Sequence, residues 1–351
     1  MSQQTVRFVR KISPNNGRSL MNMDNHKRLR AAVIGLGKAG SRFDEEHRGT
    51  IWSHVGAYLA LPDTFELVAG VDPNEENRTQ FLARCPTVGA YRQLRELKAL
   101  EVEVFSIATP HDIRLEIFEE IFSRDQLPKT IICEKPLATN AATRNNLVSL
   151  CEANGVNLLV NYNRRYTEVY RKYASMLRHK VIGDLLSITL RVPNRIWSVG
   201  SHAVDLLLYL VGEAPEEWKS LALPRLNERG EPAIDFICSF PSGAAGRVLT
   251  QATSEFLIFE VDAVGTKGRI IAHENGKYLD LITYDKSNKY RGYFEPTGTT
   301  RIFDSSNNES TFINIIKEAA GLSFYKKQKP SLNTISANLS ENLIDQIIAN
   351  T

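Results

Sequence analysis

The sequence predicts an α/β protein of two domains: a doubly wound parallel sheet over residues 31–161, then an α+β domain over 162–351 built on a large open mixed or antiparallel sheet. Three observations predict it. In the first half, short runs that are apolar on both faces alternate with helical stretches, the pattern of a parallel sheet covered on both sides. The first of those runs ends in glycines spaced as GxGxxG. After residue 162 the rhythm changes to alternating runs joined by close turns, which is how antiparallel pairing is written.

The elements follow in order. Strands are expected at 31–35 (AAVIG), 65–72 (FELVAGVD), 103–110 (EVFSIATP), 129–136 (KTIICEKP) and 156–163 (VNLLVNYN). Helices fall between them, for example over 74–85 (NEENRTQFLARC) and 138–155. The second domain should open with a helix near 166–180 stopped by IGD, a strand LLSITLRV at 185–192, an irregular segment and a helix GSHAVDLLLYLVG at 200–212. Its further strands are AIDFICSF, AAGRVLTQATSE, FLIFEVDAV, RIIAH and YLDLITY, with PSG, GTKG and ENGK as turns. A closing helix is expected over 334–350, where Ser and Asn can cap and apolar residues recur at helical spacing.

Composition narrows the function. No apolar run approaches the roughly 20 residues a bilayer-spanning helix needs, and the start lacks the apolar stretch of a secretory signal, so a cytoplasmic protein without a membrane role is expected. Residues 1–30 carry a net charge of +6 within a total of +3, which leaves the remainder at −3. Positive charge confined to a polar leader, rather than spread over a folded domain with interleaved aromatics, argues against a nucleic-acid partner. The leader suits a disordered tail; its Arg-rich, acid-poor start also suits an organelle transit peptide, and Met21 or Met23 offers an alternative start of translation. Cys85, Cys133, Cys151 and Cys238 show no CxxC pairing and are expected to be reduced core thiols.

The chemistry concentrates at the strand ends. Gly35, Gly37 and Gly40 stand directly after a strand: the first permits a tight turn, the second lets backbone approach a pyrophosphate, and the third lets helix and strand pack closely. With Leu36, Lys38 and Ala39 they form a Rossmann-type cofactor turn. Asp72, closing the next strand, can accept hydrogen bonds from both ribose hydroxyls and repel a 2′-phosphate, so NAD is expected over NADP; a cap on the following helix is its other reading. The interval to Asp72 exceeds the usual one of about 20 residues, which places an insertion near EEHRGTIW.

Ligands of a doubly wound sheet lie beyond the carboxyl ends of its strands, where Thr109, Pro110 and His111 of IATPH and Glu134 and Lys135 of CEKP are expected. A buried Lys135 could hold a substrate hydroxyl or carbonyl and exchange a proton, with Glu134 orienting it. The residues alone leave a strand-capping surface ion pair equally open. His202 begins an apolar helix with Asp205 at i+3, which suits a second proton-transfer group or a capping or core histidine. His47, His54, His111, His179 and His273 show no metal-ligand spacing, so no metal is expected.

Together these pieces resemble the Gfo/Idh/MocA oxidoreductase family: the glycine motif, IATP at 107–110, EKP at 134–136, NRRY at 163–166, GSHAVDLLLYLVG at 200–212 and VDAVGTKGRI at 261–270. The resemblance covers nearly everything after residue 30, and EKP followed by RRY and HxxD is more specific than the glycines. It implies a nucleotide-binding domain and an open-faced sheet domain that often supplies the oligomer interface, hence a homodimer or homotetramer. It also implies hydride exchange between a nicotinamide cofactor and a sugar, polyol or nucleotide-linked sugar. In such enzymes the Lys of EKP, here Lys135, is catalytic, and the Lys–Pro bond is typically cis.

The sequence departs from that family in two places. Typical catalytic members carry an Asp four positions before the His, where this chain has Ser198. Ser cannot hold an imidazolium, so His202 is expected to act as a neutral donor, or Lys135 to carry proton transfer largely alone. RVPNRIWSV replaces a Gly-rich stretch and makes Asn194, Arg195, Trp197 and Ser198 candidates for substrate contact, Arg for a carboxylate or phosphate and Trp for a sugar face. Arg164 and Arg165 join them, although Arg165 equally suits an interdomain ion pair and Trp197 a core. The expected protein is an NAD-dependent oxidoreductase acting on a small sugar-type substrate. Its rival is a non-catalytic NAD- and sugar-binding sensor, which Ser198 motivates.

Overall fold

The computed structural model describes residues 27–46, 51–138, 140–193, 196–227, 230, 232–253, 255–305, 310–324 and 332–349. The expected leader lies almost entirely outside them. The chain enters the fold at β1 (Leu29–Ile34), two residues before the expected start, with Leu29 already buried.

In chain order, a π-helical turn (Lys38–Arg42) leads from β1 into α1 (Phe43–Glu46) and then α2 (His54–Leu59). There follow β2 (Phe65–Val71), α3 (Glu75–Arg84), β3 (Gly89–Tyr91), β4 (Val104–Ile107), α4 (Arg114–Phe122), β5 (Thr130–Cys133), α5 (Ala141–Ala153) and β6 (Asn157–Val160). The six strands lie in the order β3-β2-β1-β4-β5-β6 and all pair in parallel. Strand order reverses at β1, which opens a crevice at the carboxyl ends of β1 and β4. Asn74 caps α3 by accepting from the Glu76 and Asn77 amides. Residues 47–50 of the expected insertion lie outside the described residues; beside them Asp44 accepts from the Trp52 amide, the Ser53 hydroxyl and the Arg84 guanidinium.

The second sheet comprises β7 (Leu185–Pro193), β8 (Glu217–Leu226), β9 (Pro232–Ser239), β10 (Ala245–Gln251), β11 (Glu260–Gly265), β12 (Gly268–His273), β13 (Tyr278–Lys286) and β14 (Phe294–Asp304). Their order is β14-β13-β12-β11-β7-β10-β9-β8, and β7 with β10 is the parallel pair in an otherwise antiparallel sheet. Alternate residues such as Ile188, Leu190, Val248, Val261 and Ile270 pack one face against α6 (Glu168–Arg178) and α7 (Ser201–Val211). The opposite face is open and carries Leu221 and Ile237, both more than a third exposed.

The last two helices cross the expected domain boundary. α8 (Thr311–Phe324) places Phe312, Ile315, Ile316 and Ala319 in one core with Leu29, Val33, Ile132 and Leu159 of the first sheet. α9 (Leu332–Ala349) sends Ala337 into the other core of that sheet and Leu343, Ile344 and Ile347 into the second domain. The division at 161/162 therefore separates the two sheets but not their helices. The reason lies in coverage: α1 and α2 have four and six residues and are too short to cover a doubly wound face alone, and α8 completes it.

All four cysteines are free and buried. No helix among the described residues is long and apolar enough to cross a membrane.

Candidate active site

The glycine turn is built as a cradle. Gly35 adopts φ +88°, and a Cβ there would lie 2.7 Å from the Ala108 carbonyl oxygen, so a side chain is excluded twice over. A Cβ on Gly40 would overlap the Gly35 carbonyl at 1.8 Å, whereas one on Gly37 would meet nothing within 4 Å. The outer side of the turn at Gly37 is thus open for a diphosphate. Leu36 is buried beneath the turn, Ala39 is half-buried and Lys38 is exposed.

Asp72 joins the turn directly. Its Oδ2 accepts from the Leu36 amide at 2.8 Å and from Asn77 Nδ2 at 3.0 Å, and its Oδ1 accepts from the Asn74 amide at 2.8 Å. Its carboxylate therefore braces both the glycine turn and the start of α3, where Asn74 is the cap. Arg78 donates to the carbonyls of Asp72 and Pro73, each at 2.9 Å. An open glycine turn with a carboxylate at the end of β2 fits NAD.

At the ends of β4 and β5, Arg114 organises the backbone. It is 2% exposed, and its guanidinium donates to the carbonyl of Thr109 at 2.7 Å and to those of Glu134 and Pro136. Thr109 is half-buried, while Pro110 and His111 are exposed. The Lys135–Pro136 bond is cis. Glu134 Oε1 accepts from Asn161 Nδ2 at 2.6 Å and lies 3.1 Å from Nε2 of the fully buried His54, whose ring meets Phe312 edge-on. Burial works to raise the Glu134 carboxyl, and His54, Asn161 and Arg114 overcome it, leaving the group below the usual range. Lys135 Nζ donates to the Ser198 carbonyl at 3.3 Å. Burial lowers the pKa of its ammonium against the opposing pull of Glu134 and Glu341.

His202, the second residue of α7, stands edge-on to Tyr162, with ring centroids 5.6 Å apart. Its Nδ1 is buried with no hydrogen-bond partner. Burial, followed by the charges of Lys135, Arg164 and Arg165, drives its pKa well below the ordinary histidine value, so the ring is neutral at physiological pH. Ser198 presents its carbonyl to Lys135, and the same oxygen accepts from Ser201 Oγ at 2.9 Å.

Three sequence expectations change here. Asp205 does not pair with His202: it receives Arg165 through both Nε and Nη2, with both side chains buried. Arg165 is thereby drawn into an ion pair inside the second domain, neither across the domains nor toward a substrate, because a guanidinium so buried needs a bidentate acceptor. Arg164 stacks its guanidinium 3.6 Å over the Phe259 ring, in the second domain's core. Asn194, Arg195 and the side chain of Trp197 lie outside the described residues.

Sequence reasoning also missed five residues of this assembly: His54, Arg114, Asn161, Tyr162 and Glu341. Glu341 of α9 is 1% exposed and accepts the Leu137 amide on both carboxylate oxygens, at 2.8 and 3.0 Å, and the Tyr162 hydroxyl at 3.1 Å. Its distance in sequence, 204 residues from Leu137, leaves no local pattern to find. Among the described residues no group of His, Cys, Asp or Glu is placed to hold a metal.

Comparison with known proteins agrees with this architecture. Residues 29–162 match the Gfo/Idh/MocA family, described as an oxidoreductase family with an NAD-binding Rossmann fold. The chain is 24% identical over 290 residues to myo-inositol 2-dehydrogenase of Thermotoga maritima, covering 76% of this chain and 82% of that protein. It is 25% identical over 276 residues to trans-1,2-dihydrobenzene-1,2-diol dehydrogenase of Xenopus tropicalis, covering 72% and 80%. In fold it is similar to a solved oxidoreductase from Agrobacterium radiobacter in complex with NAD+, L-tartaric acid and magnesium, with a TM-score of 0.71 at 16% identity over 92% of this chain and 96% of that one. It is the domain carrying the glycine turn, Asp72 and the EKP segment that matches the Gfo/Idh/MocA family of NAD-binding oxidoreductases.

Proposed function

We propose that the protein is an NAD-dependent dehydrogenase of a small ring bearing adjacent hydroxyl groups, with Lys135 taking the proton of the hydroxyl being oxidised and His202 holding its neighbour. One observation carries the proposal: an amine whose pKa burial lowers stands at the end of β5, in the crevice that the glycine turn opens, with a neutral imidazole nearby. Bound NAD supplies a nicotinamide carbon that accepts the hydride. Lys135, in its neutral form, receives the hydroxyl proton, and Glu134, fixed by His54 and Asn161, keeps a negative charge beside it. Neutral His202 can donate or accept one hydrogen bond without competing for that proton. The names of the two curated relatives support the substrate class, since each denotes a six-membered carbon ring with adjacent hydroxyls. Of the arginines considered for an anionic substrate group, Arg164 and Arg165 are turned into the core and Arg195 lies outside the described residues.

Purified protein is mixed with NAD+ and a panel of cyclitols, cyclic diols and free sugars, and nicotinamide absorbance is followed. A cyclic polyol should be oxidised, and Lys135→Met should lower kcat about 10²- to 10⁴-fold with NAD+ binding retained. NAD+ binding without an absorbance change for any member of the panel would overturn the enzyme in favour of the sensor reading, which the uncharged Ser198 carbonyl beside Lys135 favours. We further propose that the open face of the second sheet joins two copies of the chain as a homodimer or a homotetramer. Sedimentation should then show an oligomer that Ile237→Glu dissociates.

A further inference from the structure

The Lys135 turn is held from two sides by buried ionisable side chains that neither sequence motif contains. On one side Arg114 takes the carbonyls of Glu134 and Pro136. On the other, Glu341 takes the amide of Leu137, which is the first backbone donor after Lys135 because Pro136 has none. A carboxylate 1% exposed is costly to bury, and it needs partners on every side. Glu341 finds them on four elements: the Leu137 amide after β5, the Tyr162 hydroxyl after β6, Arg144 of α5 with Nε at 3.8 Å, and the charge of Arg114 on α4. Tyr162 in turn packs edge-on against His202. The adjacent Ser340 donates to Asp205 at 3.4 Å, on the helix that carries His202. One turn of α9 thus touches the supports of both proposed proton-handling residues.

We propose that Glu341 is a positioning residue of the active site: its carboxylate fixes Lys135 from behind its turn and, through Tyr162, fixes His202, supplying from the closing helix a negative charge that Ser198 does not supply. The proposal rests on the reading of Lys135 as the proton-transfer group. Other charged or titratable groups face Glu341. Arg144 is shared with Asp345 of α9, and Cys133 of β5 and Tyr162 are both pushed up by burial. Asp205, behind Ser340, is raised by burial against the pull of Arg165. Burial lifts Glu341 itself to about 7, so its charge changes within the neutral range, and with it the field at Lys135.

The test reads Lys135 directly and needs no substrate. The intact chain is labelled with trace acetic anhydride across pH 6 to 10, and acetylation at Lys135 is quantified by mass spectrometry against the exposed Lys180. Glu341→Gln keeps an acceptor for Leu137 but removes the charge. It should raise Lys135 labelling at neutral pH about threefold, as expected when an ammonium loses a nearby carboxylate, with Lys180 unchanged. Tyr162→Phe keeps the ring against His202 and removes only the hydroxyl, and it should move Lys135 labelling the same way. Unchanged labelling in both folded variants, folding being judged by circular dichroism and NAD+ binding, overturns the proposal; if Glu341→Gln does not fold, Tyr162→Phe alone decides. With a polyol that the wild type oxidises, Glu341→Gln should lower kcat about tenfold and leave KM for NAD+ within about twofold. Absence of turnover in the wild type would count against the proposed function, while the labelling result would still decide the role of Glu341.

Discussion

At single residues, the sequence was legible where one side chain serves one strand end. Asp72 shows both the reach and the limit of that. A carboxylate has about four acceptor sites, and Asp72 already spends three of them, on Leu36, Asn74 and Asn77. Both ribose hydroxyls therefore fit only if the Asn77 amide, the one side-chain donor among the three, swings away. Asp72→Asn should weaken NAD+ binding about tenfold or more and narrow its preference over NADP+, because the charge that repels a 2′-phosphate is gone. Fluorescence titration with both cofactors reads this, and an unchanged preference would remove Asp72 from the ribose site. Lys135 was legible for the same reason: EKP places it at the end of a buried strand. His54 was not, because it reaches Glu134 across 80 residues. Arg165 was legible as a choice between two roles, and the bidentate contact with Asp205 gives it a third, an ion pair within the second domain.

Among the elements, periodicity recovered the buried strands and lost the edges. β8 and β14 are the two outer strands of the second sheet, and β14 is exposed along most of its length, so neither presents a clear apolar alternation. α8 was not singled out, although its buried Phe312, Ile315, Ile316, Ala319 and Ala320 recur at helical spacing. The join between elements was the least visible feature. Arg114 opens α4 yet serves β4 and β5, whose ends it ties together through the carbonyls of Thr109, Glu134 and Pro136. Arg114→Met would leave those carbonyls buried without their donor. Each orphaned acceptor costs about 1 to 3 kcal/mol, so a loss of roughly 3 kcal/mol or more is expected in urea denaturation. Arg114→Lys should recover only part of it, since an ammonium cannot reproduce the planar fork. Equal stability of the two variants would show that the geometry of the fork is immaterial.

Over the whole molecule, the chain closes by returning to its start. α8 seals one face of the first sheet, and α9 inserts Glu341 between the domains, so the stability of the assembly carries the titration of one carboxyl. The sign follows from its partners. Burial raises Glu341 from 4.5 to about 7 in spite of the Leu137 amide, Arg144 and Tyr162, so the folded chain binds this proton more tightly than the unfolded chain does. The contribution is fully present below pH 4.5 and is lost as pH rises to about 7, on the order of 3 kcal/mol across that window. Glu134 behaves in the opposite way: its pKa is lowered, so its contribution is present above the unfolded value and disappears only as pH falls below it. The two windows therefore separate, and Glu341 shares the one between 4.5 and 7 with Asp205, whose carboxyl burial raises to about 6. Melting temperatures of the wild type and Glu341→Gln, measured side by side at pH 5 and pH 7, isolate the effect because every other titrating group is common to both. The wild type should lose stability relative to the variant as pH rises. Parallel curves would mean that Glu341 titrates alike in the folded and unfolded chains, and that α9 docks without regard to its charge.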